Sequence, residues 1–232
     1  ALVAAWAWLP LGLSVSVRGR LHQVAMLALG VALAVGPWTL RNALVLHAFV
    51  PVTTGAGQAL LDGNNPRAWR DPAVRGGAEE SLRMELLRTE HRGLSETELD
   101  ARARARAVAF LRAHAAEWPA AAAAKLARFW RLRAEAGTTG SWQAVGSPLH
   151  RLLRALDPLL LWSAFALPLA LWGVAVSLRG PRRWFQSLGL WVILYFSAVA
   201  AVFFGSLRMR LPAEPLVVLF AAAGLDDLVR RA

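Results

Sequence analysis

Apolar residues in this chain fall into long blocks. Ala1 to Val17, Leu21 to Leu40, Pro158 to Leu178 and Trp184 to Phe204 approach or reach about 20 residues, the length of a helix that crosses the hydrocarbon core of a bilayer. A fifth block, Leu211 to Leu225, is shorter and carries Glu214 between Pro212 and Pro215, which predicts either a span or a re-entrant segment. From Arg41 to Leu156 no stretch is long and apolar enough to span. The pattern predicts an all-α membrane protein with about five transmembrane helices. Residues 1–40 supply two of them, residues 41–156 form an external, mainly helical domain, and residues 157–232 supply three transmembrane or re-entrant helices.

The polar domain carries its own local signals. Phe49-Val50-Pro51-Val52-Thr53-Thr54 is apolar and β-branched enough for a short strand, and turn-rich Gly55-Ala56-Gly57 and Asp62-Gly63-Asn64-Asn65-Pro66 follow. Ser95-Glu96-Thr97-Glu98 is a capping box, predicting a helix to about Glu117 with Leu99, Ala103, Phe110 and His114 near one face. Trp118-Pro119 breaks the register, and Pro119 suits the first turn of a further helix, running to about Glu135. That helix interleaves Leu126, Phe129, Trp130 and Leu132 with Lys125, Arg128, Arg131 and Arg133. It fits a helix lying in the headgroup layer and, equally, one packed on its neighbours.

Charge sharpens the topology. The 232 residues are 56% hydrophobic, yet Lys plus Arg number 26 against 15 Asp plus Glu, and Lys125 is the one lysine. These cations flank apolar blocks or share helices with acids, which argues for membrane lipids and a phosphorylated lipid as partners and against nucleic acid. Arg18/Arg20, Arg179/Arg182/Arg183 and Arg230/Arg231 share one compartment if there are five spans, and the positive-inside rule makes it the cytoplasm. The expected location is the cytoplasmic (inner) membrane, multi-pass, with residues 41–156 facing the exterior or periplasm. The short turn containing Arg208 and Arg210 then lies outside, against the rule. With no cysteine, disulfides, thiolate metal sites and Cys nucleophiles are excluded. The five histidines show no metal-ligand spacing, so no metal site or other cofactor is predicted.

The external edge gathers the candidate chemistry. Arg208 and Arg210, two apart in a turn expected to be extended, would point the same way and grip one phosphate, or else snorkel as interfacial anchors. Arg41 and Asn42 close the second block as further site residues or as an ordinary helix stop, Asn42 capping. The Asp62-to-Pro66 bend is first a turn, and its amides could also bond sugar hydroxyls or a phosphate, with Asp62 orienting an acceptor. Glu214 is expected to pair with Arg208 or Arg210 and hold them rather than act as a base.

Four segments in order, Pro37-Trp38-Thr39-Leu40-Arg41-Asn42, Phe49-Val50-Pro51-Val52-Thr53-Thr54-Gly55, Gly63-Asn64-Asn65-Pro66 and Arg208-Met209-Arg210-Leu211-Pro212-Ala213-Glu214-Pro215, resemble the C-terminal portion of bacterial GT-C membrane glycosyltransferases. The family is the glycosyltransferase family 39 type, with its protein O-mannosyltransferase and aminoarabinose transferase relatives. The resemblance implies an enzyme that transfers a sugar from a polyprenyl-phosphate donor to an acceptor outside the cytoplasmic membrane. It implies a donor phosphate near Arg208, Arg210 and Arg41, and a cavity lined by Asn42, Asp62, Gly63, Asn64, Asn65 and Glu214. It leaves divalent metal open. The catalytic carboxylate of the family lies in an early external loop, expected upstream of Ala1, so the chain is expected to be an inactive fragment. The alternative is a non-enzymatic membrane scaffold whose basic helices bind anionic lipid or cell-envelope polymer.

Overall fold

The computed structural model describes residues 16–90, 94–132, 158–180 and 183–232. Among these every regular element is helical and none is a strand. The expected span over Ala1 to Val17 falls almost wholly on residues 1–15, outside the described ones.

Helix α1, Val17–Leu46, begins where the Ser16 hydroxyl accepts from the Gly19 amide, and ends at His47, whose φ of 49° is left-handed. Arg18 and Arg20 therefore sit in its first turn, not in a separate basic turn. Its 30 residues make about 45 Å of helix, and it is long and apolar enough to cross a membrane. None of its most apolar window is buried in the molecule.

Among the described residues the polar domain has five α-helices: α2 (Ala56–Gly63), α3 (Pro66–Arg70), α4 (Ser81–Glu90), α5 (Glu96–Ala113) and α6 (Trp118–Phe129). The capping box at Ser95 and Glu98 is formed in both directions, and a 3₁₀ turn, Ala115–Glu117, bridges to α6 with Pro119 in its first turn. Leu99, Ala103 and Ala107 of α5 bury against Leu61 of α2. Phe110 stands edge-on to Trp69 at 4.9 Å and stacks on His114 at 4.3 Å. Asp100 accepts from the amides of Gly55, Gly57 and Gln58, supplying the start of α2 with the acceptor that Gly55 lacks. Helix α6 buries Lys125 and Phe129, so it packs on its neighbours, and it ends at Phe129.

The last four elements are α7 (Pro158–Ser177), α8 (Arg183–Val202), the single turn α9 (Leu207–Arg210) and α10 (Glu214–Arg231). Helix α10 carries the fifth apolar block onward through Asp226 and Asp227. Helices α7 and α10 run parallel, since Ser163 meets Arg210 at one end and Trp172 meets Asp227 at the other. Their contact relies on small residues: Ala170 and Gly173 meet Val217, Phe220, Ala221 and Gly224. A Cβ on Gly173 would stand 1.7 Å from the Phe220 carbonyl oxygen, so the backbones approach as closely as glycine allows. Arg231 pairs with Asp227, and the field of Arg179 also reaches that carboxylate. Arg179 and Arg231 thus share the end of the helices opposite to Arg210.

Candidate functional site

The polar domain and the C-terminal helices meet at one junction. The Asp62-to-Pro66 bend docks on Val202 to Gly205, the turn that leads from α8 into α9. Asn64 donates to the carbonyls of Leu60 and Val202 at 2.8 and 3.0 Å and accepts from Lys125 Nζ at 2.8 Å. Gly63 is pressed on the backbone, where a Cβ would lie 1.7 Å from the Phe203 carbonyl oxygen. The Gly205 amide donates to the Gly76 carbonyl at 2.7 Å.

These contacts reassign the bend. Asn65 accepts from the Ala68 amide as the cap of α3 and donates to the carbonyls of Leu61 and Asp62. Both asparagines are buried, and the nitrogen and oxygen of each side chain bond protein groups, so neither amide is free for a sugar. Asp62 is also buried and pairs with Arg83 at 3.1 Å. Burial pushes its carboxyl up to about 6 despite Arg83, with Glu80 and Glu79 adding to the rise.

The residue missed at sequence level is Lys125. Its side chain is wholly buried, bonded to Asn64 and, at 3.1 Å, to the Val202 carbonyl, and it lies 5.9 Å from the centre of the Trp69 ring. No carboxylate pairs with it among the described residues, and burial lowers its ammonium to about 8. The available signal was its identity. Arginine keeps its charge when buried, whereas lysine is the cation that gives it up.

Arg208 and Arg210 do not act as a pair. Ser206 caps a helical turn, and in a helix residues two apart diverge by about 200° instead of aligning as in a strand. Arg210 turns inward to 2% exposure, forms an ion pair with Glu214, donates to Ser163 Oγ at 3.0 Å and lies 5.9 Å from the centre of the Trp130 ring. The expected hold of Glu214 on one of these arginines is present, and it falls on Arg210. Arg208 turns outward, exposed, and its guanidinium has no hydrogen bond or ion pair among the described residues.

At the end of α1, Asn42 does not cap a helix, because α1 continues to Leu46. It is buried and donates to the carbonyls of Val50 and Val52, while Trp38 donates to Val52 and Thr39 to Pro51. Phe49 to Thr54 is accordingly a strap tied to α1 by side chains, with no strand partner. Arg41 is exposed, bonded to Asn42 Oδ1 at 3.1 Å and 5.1 Å from the centre of the Trp38 ring. No contact brings it to Arg208 or Arg210 among the described residues.

No group of three or more His, Cys, Asp or Glu side chains among the described residues is arranged to hold a metal ion. Comparison with models of known families, with characterised proteins and with solved structures finds no match.

Proposed function

We propose that these residues are the C-terminal portion of a membrane glycosyltransferase of the GT-C type, which moves a sugar from a polyprenyl-phosphate donor to an acceptor outside the cytoplasmic membrane. In this reading α1, α7, α8 and α10 span the membrane, and the polar domain stands outside. The observation that carries it is the junction. The asparagine bend, far away in sequence, is bonded to Val202 at the end of α8, six residues before the exposed guanidinium of Arg208.

The chemistry follows from charge. When the sugar leaves, negative charge grows on the departing phosphate, and a fixed cation at the lipid boundary stabilises that charge more than the ground state. Arg208 is the group able to do this. Arg210 is neutralised by Glu214 and has the different task of pinning α9 to α7. Asp62 and Glu214 are each held by an arginine, which suits neither to be the base, and the catalytic carboxylate comes from an earlier segment of the complete enzyme, as the resemblance implies.

The test is sugar transfer by the full-length protein from a polyprenyl-phosphate-linked sugar. Arg208→Gln is expected to lower kcat by about 10²-fold, the usual scale for removing one donor to a developing oxyanion, with folding unchanged. A folded Arg208→Gln protein with undiminished transfer would remove Arg208 from the reaction. A full-length protein with no transfer, but with lipid association weakened by the same change, would favour the scaffold.

A further inference from the structure

Helix α8 reaches α10 at Gly189 but does not close fully on the α7–α10 pair. While α7 and α10 touch backbone to backbone, α8 stands off and leaves a trough of about 580 Å³. Its walls are almost entirely apolar, with Leu171, Val174 and Leu194 representative, and Leu171 and Leu194 are exposed, so it opens sideways between α7 and α8. The two hydroxyls that reach it are already spent, Ser163 on Arg210 and Ser197 on the Ile193 carbonyl. Nothing in the trough asks for water.

Along α7 the lining runs from Ser163 to Val174, twelve residues and a rise of about 16 Å. That is close to half the hydrocarbon thickness, about 15 Å, and so to one leaflet. One end is closed by Trp130 and Leu132, and the segments bounding it, 126–132 and 207–214, carry Arg128, Arg131, Arg208 and Arg210 against Glu214 alone. The trough is thus apolar over one leaflet's depth and strongly basic at its outer end.

We propose that it binds one acyl chain of an anionic glycerophospholipid of the outer leaflet, its phosphate held in the field of those arginines. This rests on the membrane placement of α7, α8 and α10 but not on sugar transfer. A bound chain would fill the gap that α8 leaves and hold it beside the α7–α10 pair.

The test is native mass spectrometry of the full-length protein released from nanodiscs containing equal phosphatidylglycerol and phosphatidylcholine. One phosphatidylglycerol per chain should be retained in preference to phosphatidylcholine. Ala164→Trp, which fills the trough from an exposed position, should lower retention by about tenfold, a loss of about 1.4 kcal/mol. Phe165→Ala, exposed on the same helix but outside the trough, should retain the lipid and shows that α7 tolerates change. Absence of a retained lipid, equal retention of both lipids, or retention unaffected by Ala164→Trp would overturn the proposal. So would displacement of phosphatidylglycerol by added polyprenyl phosphate, which would give the trough to the sugar carrier.

Discussion

Two buried cations set the terms at the junction, and they are stabilised differently. Arg210 has a carboxylate, a hydroxyl and an aromatic face, but its Nε has no partner among the described residues. Removing one member of a buried pair leaves a stranded charge, so Arg210→Met should cost about 3–5 kcal/mol in detergent unfolding. Adding Glu214→Leu should recover most of that loss. Lys125 has only neutral acceptors. Its value of about 8 in the folded protein lies below the ordinary 10.5, so between these pH values the unfolded chain binds the extra proton and stability rises with pH. Unfolding midpoints measured across that window should climb in the parent protein and stay flatter in Lys125→Met. Neither environment was legible in the sequence. Arg208 and Arg210 look equivalent as letters, and only the helical turn separates an inward guanidinium from an outward one. What could be read was local: the Ser95 capping box and the break at Pro119 depend on neighbours within four residues.

At the level of elements, glycine and asparagine do what apolar burial does elsewhere. The α7–α10 contact relies on Gly173 and Gly224, whose added Cβ atoms would lie 1.7 and 2.3 Å from opposing carbonyl oxygens. Gly173→Ala should force the helices apart and cost roughly 1–3 kcal/mol, read as a lowered unfolding midpoint in detergent. The strap over Phe49 to Thr54 depends on Asn42, which donates to two of its carbonyls. Asn42→Ala should speed amide exchange across residues 50–54 while leaving exchange in α5 unchanged. The strap also shows where apolar, β-branched composition misleads: pairing needs a neighbouring edge, and here Trp38, Thr39 and Asn42 take the carbonyls instead. The bend at Asn64 and Asn65 was recognised as a turn from its residues, but its docking on α8 involves a separation of 138 residues that no local pattern encodes.

On the scale of the whole molecule, phosphate contact by Arg208 depends on which end of the helices faces out. The parallel α7 and α10 put Arg179 and Arg231 at one end, and the polar domain with Arg208 at the other. Block lengths and charge clusters in the sequence already suggested this polarity. Among the described residues α1 alone has full spanning length and apolarity, with shorter apolar stretches over Trp162–Ser177 and Ser187–Val202. Because the chain has no cysteine, single cysteines report orientation without background. The most direct measurement is labelling of Leu94→Cys, Arg208→Cys and Arg230→Cys, one at a time, with a membrane-impermeant maleimide on intact cells with a permeabilised outer envelope. Labelling at positions 94 and 208 with protection at 230 is the predicted result. Labelling at 230 with protection at 208 would contradict it, because Arg208 could then meet no phosphate at the outer face.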